Sequence, residues 1–190
     1  MQLHRNSPKR YYDENEVYFV VVKTHNNFKY FKEPLLCDLL IEEIKICKEM
    51  KEFKLYGFSM IYDHLNLLLQ PGEEYNISEV MKSLKENSSR DINYVIFNQH
   101  YVGDTSTCRL QIRELITIYK RQFIKKYGIK QNIIPKFKWQ KSFYDHIIED
   151  EKDFENQYIY TVYNFQKHNL PNDWQYTSLN YEDMVDDIQI

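Results

Sequence analysis

The sequence predicts an α+β domain built on a four-stranded antiparallel sheet. Short β-branched and aromatic runs of strand length alternate with apolar patterns at the helical period, in the order β-α-β-β-α-(insert)-β-α. Two of the strand runs meet at a single polar junction. The chain is 190 residues long with 16% aromatic residues and only four Gly and five Pro, which fits one packed core and excludes a disordered chain.

Residues 17–24 (VYFVVVKT) are β-branched and aromatic between polar flanks, the pattern of a buried strand. Pro34 then opens a helix in which Leu36, Leu39, Leu40, Cys47 and Met50 recur near the 3.6-residue period. Residues 53–60 and 65–70 read as two strands interrupted by Asp63-His64-Leu65-Asn66, and Pro71-Gly72 stops the second. Residues 76–97 are helical, with Ile77, Val80, Met81, Leu84, Ile92 and Val95 as the inner face. Gly103-Asp104-Thr105 marks a loop and residues 108–127 a basic helix. Residues 137–148 (FKWQKSFYDHII) supply the fourth strand, and 150–168 one last helix. This order is that of a ferredoxin-like split βαβ sheet with one added helix. The chain reads as a single domain, 1–190, with a basic helical insert at about 103–135 and an acidic tail at about 182–190 expected to be mobile.

No run approaches the roughly 18 apolar residues of a membrane span, and the N-terminus lacks the apolar stretch of a signal peptide. Three cysteines without paired spacing suggest reduced thiols, hence a cytoplasmic protein. The net charge of −3 hides a strong asymmetry. Residues 107–143 hold ten lysines and arginines against one acid, whereas residues 144–190 hold eleven acids against two lysines. A basic block of this kind either collects phosphates or is a solvated helix face.

His64 and Asn66 alternate along a strand, so both side chains leave the same face about 7 Å apart. Such a pair holds a divalent cation if a third group arrives from elsewhere. The plainer alternative is a polar turn, with Asp63 as its turn residue. On the last helix Phe154, Tyr158, Val162 and Phe165 form an apolar stripe, and Asn156, Tyr160, Asn164 and Lys167 a polar one opposite. Tyr160 and Asn164 are i, i+4 neighbours, so a hydroxyl and an amide can converge there.

Five segments in order carry a resemblance: MIYDHLNLLL around His64-Leu65-Asn66, VMKSLKENSSRDIN at 80–93, WQKSFYDHIIEDEKDF at 139–154, YIYTVYNFQKHNL at 158–170 and DWQYTSLNY at 173–181. Together they resemble the single-tyrosine HUH transposases of small bacterial insertion sequences, most closely the REP-associated tyrosine transposases. The resemblance implies the HUH endonuclease version of the fold, with the tyrosine on the added C-terminal helix. Carried over residue by residue, it makes Tyr160 the nucleophile and His64, Asn66 and Asn164 the ligands of Mg²⁺ or Mn²⁺. Two positions depart from the pattern. Asn66 stands where the family has its second histidine, a position occupied by Gln in replication-initiator relatives, and Phe165 stands where it has a proline.

The implied activity is nicking and joining of single-stranded DNA, as in DNA transposition and recombination. A covalent phosphotyrosine conserves the bond energy for rejoining, and no ATP is needed. The alternative is a domesticated, catalytically weakened protein that still binds DNA hairpins. The implied partner is single-stranded or hairpin DNA, bound by Arg109, Arg113, Lys120, Arg121, Lys125, Lys126, Lys138 and Lys141. Phe137 and Trp139 would stack on bases if exposed, or are core aromatics. Action as a homodimer stays open.

Overall fold

The computed structural model describes residues 16–97, 107–128 and 134–188. The loop expected at 103–105 lies outside them. The strands β1 (Tyr18–Lys23), β2 (Lys54–Ile61), β3 (His64–Gln70) and β4 (Tyr144–Ile147) form one sheet in the order β2-β3-β1-β4. Every neighbouring pair is antiparallel, so the ferredoxin-like split βαβ topology is the one observed. The helices α1 (Pro34–Lys51) and α2 (Ile77–Ile96) are the two crossovers. Pro34 opens α1, where the Glu33 side chain accepts the Leu35 N–H at 3.3 Å. A reciprocal capping box between Asn76 and Glu79 opens α2.

Alternation along β3 divides the molecule into two layers. Leu65, Leu67 and Leu69 are fully buried in the main core with Leu39, Leu40, Val80 and Leu84 of α1 and α2. The basic helix α3 (Thr107–Tyr127) adds Ile112, Ile116 and Phe123 to that core and packs on α1 and α2. Leu68 belongs to the opposite face, with Phe19, Tyr56 and Ile148. That face is covered by α4 (Glu151–Val162) and α5 (Asn164–Lys167). The helix comes close to β2 at Gly57, where a Cβ would lie at ordinary contact distance, 3.5 Å from Val162 Cγ2 and 3.7 Å from Tyr158 Cδ2.

Three expectations need correction. The fourth strand is only Tyr144–Ile147, because the chain before it is held along α2. Asn93 donates to the Phe137 carbonyl at 2.9 Å and accepts its N–H at 2.8 Å, while Trp139 Nε1 donates to Ser88 Oγ at 2.9 Å. The single last helix is two, broken at Tyr163 (φ −102°, ψ 13°). Beyond the break Phe165 turns into a satellite core with Ile61 and Leu170.

The tail is anchored rather than mobile as far as Asp186. The Asp186 carboxylate accepts the Leu55 N–H at 2.7 Å and pairs with Lys48 at 2.7 Å, and Met184 is buried. With the Ser59–Thr177 bridge, this segment covers the otherwise open edge of β2.

Candidate functional site

The β2–β3 turn is confined to Tyr62 and Asp63, so His64 already belongs to the strand. Asp63 is the turn residue, and its carbonyl accepts the Thr24 N–H at 2.8 Å. Its carboxylate also lies 2.7 Å from His64 Nδ1. An Nδ1–H donated to this oxygen leaves the Nε2 lone pair facing away from the turn. His64 is buried, and that burial pushes its pKa below the ordinary value, with Asp63 offsetting only part of the shift. The His168 ring sits edge-on to it at 4.8 Å between centroids, and burial lowers that imidazole's pKa also. Sequence spacing did not single out His168; only the fold brings it to His64.

Nε2 of His64 meets Asn164, whose Nδ2 lies 3.3 Å away. The break at Tyr163 accounts for this. On one continuous helix Asn164 would share the solvent stripe of Tyr160, but here it is 2% exposed and Tyr160 38%. Asn66, two residues along the same face as His64, donates to Ser59 Oγ at 3.3 Å. The amide oxygens of both Asn66 and Asn164 are buried without a hydrogen-bond partner. An orphaned buried carbonyl oxygen is costly and calls for a ligand. A half-turn of the Asn164 amide would exchange its oxygen and nitrogen, placing the oxygen beside Nε2.

One imidazole nitrogen and two amide oxygens are donors that a hard divalent cation accepts, so the residues fit Mg²⁺ or Mn²⁺. The set carries no formal charge. Among the described residues no group of three or more His, Cys, Asp or Glu side chains is placed to hold a metal, so any cation here depends on the amides.

Tyr160 stands in the last turn of α4, at the solvent side. Its ring meets Phe19 of β1 edge-on at 5.5 Å between centroids, and Lys167 Nζ lies 4.7 Å from its centroid. The hydroxyl therefore belongs to a half-open phenol with a cation beside it, above a sheet face whose buried end carries His64 and Asn66.

The predicted DNA-binding residues divide between two surfaces. Arg113, Lys120, Arg121, Lys125 and Lys126 ride on α3, which lies in the helical layer on the other side of the sheet from α4. The side chain of Arg109 lies outside the described residues. Lys126 pairs with Glu33 at 2.8 Å, and Lys120 Nζ sits 3.8 Å from the Tyr94 ring centroid. Lys138 and Lys141 instead flank the segment leading into β4. The expectation that Trp139 stacks on bases is corrected. Its indole is 8% exposed and tied to Ser88, and Phe137 is fully buried, so both are core aromatics.

Comparisons with known proteins agree with this architecture. Residues 14–107 match the family model described as "Transposase IS200 like". A curated protein of Haemophilus influenzae named as a REP-associated tyrosine transposase is 25% identical over 176 residues, spanning 90% of this chain and 84% of that relative. The solved structure of a REP-associated tyrosine transposase bound to a REP hairpin covers 94% of this chain and 85% of its own, with a TM-score of 0.59 and 16% identity. That last likeness is one of fold. Among the described residues no helix is long and apolar enough to cross a membrane.

Proposed function

We propose that this chain, a relative of the IS200-like and REP-associated tyrosine transposases, nicks and rejoins single-stranded DNA next to a hairpin, with Tyr160 as the nucleophile. The observation that carries the reading is the meeting of Asn164 with His64 Nε2, next to Asn66 on the sheet face beneath the tyrosine helix, with the buried oxygens of both amides left without partners. The hairpin is proposed because a solved structure of the same fold holds a REP hairpin.

Tyr160 Oη attacks the scissile phosphorus and forms an O–P bond, while the bond from phosphorus to the 3′ oxygen breaks. The products are a 5′-phosphotyrosine and a free 3′-hydroxyl, the phenol proton being lost to solvent and another taken up by the leaving oxygen. Reversal of the same exchange joins the ends without ATP. Phe19 holds the phenol ring against the sheet, and Lys167 places positive charge beside it. Asp63 keeps the His64 proton on Nδ1 and so keeps Nε2 available. His64, Asn66 and Asn164 would hold Mg²⁺ or Mn²⁺, which when bound supplies positive charge for the scissile phosphate.

The neutral Asn66 amide favours a second reading, a hairpin-binding protein with weakened catalysis. Incubating the chain with a 3′-labelled single-stranded hairpin and Mn²⁺, then denaturing, separates the two. A covalent protein–DNA band supports nicking. Hairpin binding without any band supports the second reading, and no binding at all rejects both.

A further inference from the structure

Between α2 and the segment that leads into β4 runs an open groove whose charged lining is Lys85, Arg90, Lys136, Lys138 and Lys141, with Glu86 the one acid. We propose that this groove, rather than α3, holds the sugar–phosphate backbone of one DNA strand and leads it to the His64 site. The inference rests on the DNA-processing reading above and names the surface that reading requires.

The groove is built. Phe137 and Trp139 turn inward and are buried, so Lys136 and Lys138 turn outward on an alternating chain, about 7 Å apart. That separation is of the same order as the distance between successive phosphates along a strand. The row is fixed by α2. Asn93 clamps the Phe137 backbone, Ser88 holds the Trp139 indole, and Lys85 Nζ donates to the Lys141 carbonyl at 2.9 Å. Arg90 is oriented by Asp91, its Nε lying 2.8 Å from Oδ1. A backbone that already holds its cation-bearing residues in a row before the ligand arrives loses less entropy on binding it.

The row runs along the end of β1. The Gln140 N–H donates to the Lys23 carbonyl at 2.8 Å, and the His25 N–H donates to the Lys138 carbonyl at 2.7 Å. Lys23 is in turn the register partner of His64 on β3. A strand lying along Lys141, Lys138 and Lys136 thus runs beside the end of β1 that carries Lys23. Helix α3 instead packs on α1 and α2, and its Lys126 is already paired with Glu33 at 2.8 Å.

The test is the salt dependence of affinity, which reports how many phosphates the protein neutralises and which a merely structural change does not move. Binding of a fluorescent DNA hairpin with a single-stranded flank is followed by anisotropy across a salt series. The variants are Lys136→Gln/Lys138→Gln/Lys141→Gln and, on α3, Arg121→Gln/Lys125→Gln, with melting temperatures confirming that both fold. The groove variant is expected to reduce the slope of log K against log salt by about 2–3, at roughly 0.7–0.9 for each phosphate no longer neutralised, and the α3 variant to leave it unchanged. A groove variant with the wild-type slope, including one with weaker binding at that same slope, overturns the groove. A slope reduced by the α3 variant alone does the same. Failure of the wild type to bind at the lowest salt overturns the DNA-processing reading itself, a different result.

Discussion

Asn164 and His64 lie 100 positions apart in the chain and 3.3 Å apart in the fold, Nδ2 to Nε2. The contact exists because α4 ends at Val162 and the chain turns at Tyr163 before α5 begins. The sheet presents the imidazole, the helix break presents the amide, and neither element alone makes the site.

The first prediction concerns Asn66, whose orphaned oxygen faces the same layer. An imidazole there would add a stronger donor for Mn²⁺ than a neutral amide. Asn66→His is expected to tighten Mn²⁺ binding on the order of tenfold, about 1.4 kcal/mol, and to raise nicking; His64→Ala should remove both. Calorimetric titration of Mn²⁺ into the three proteins with hairpin bound measures it. If Asn66→His changes neither quantity, these residues are not a metal site.

The second follows from the depressed pKa values of His64 and His168, for which burial is the leading cause. The folded protein takes up protons on both imidazoles less readily than the unfolded chain, whose histidines titrate near the ordinary value of 6.5. Below that value the unfolded state binds more protons, so stability is full above about pH 6.5 and declines as the pH falls toward the lowered values. The melting temperature should drop between pH 7.5 and 5.5, and His64→Gln should flatten the drop. A wild-type melting curve that is level across this window would contradict the burial argument.

How much of this was legible in the sequence varies by element. The strands and crossovers were, because alternation along HLNLLL and the helical recurrence of Leu36, Leu39 and Leu40 are local patterns that burial reinforces. The sheet order followed from their succession. The ends of the molecule were not. A short β4, the break at Tyr163 and the anchored tail each depend on partners remote in sequence: Asn93 for Phe137, Ile61 for Phe165, Lys48 and Leu55 for Asp186. The basic block was visible as charge, but its division between α3 and the groove required knowing that Phe137 and Trp139 point inward.

A third prediction tests the start of the loop after β3. A Cβ on Gly72 would lie 2.5 Å from the carbonyl oxygen of Glu52, the residue that ends α1 in the left-handed conformation at φ 48°. Neither backbone can yield easily, since one closes a helix and the other leaves a central strand. Gly72→Ala should cost about 1–3 kcal/mol, as overpacking does, measured by denaturant unfolding. Gly57→Ala, whose Cβ would meet only side chains at ordinary contact distance, is the tolerant control. Equal stability of the two variants would show that the α1 terminus relaxes at no cost.

The last prediction is the removal of one oxygen. Tyr160 is partly exposed, its ring rests against Phe19, and Lys167 lies over it. Phenylalanine preserves both ring contacts and the charge of the protein, so folding stability should change by no more than about 0.5 kcal/mol. Hairpin affinity should change as little, because the groove cations are untouched. The covalent adduct, in contrast, should vanish, since no other atom of the side chain can bond to phosphorus. A denaturing gel of Tyr160→Phe with labelled hairpin and Mn²⁺, beside an anisotropy titration of the same sample, reads both quantities. An adduct that survives moves the nucleophile to a neighbour, with Tyr163, 43% exposed, the next to replace. Disappearance of the adduct together with disappearance of binding would instead make Tyr160 a DNA-binding side chain, and the chemistry would have to be sought elsewhere on the sheet face.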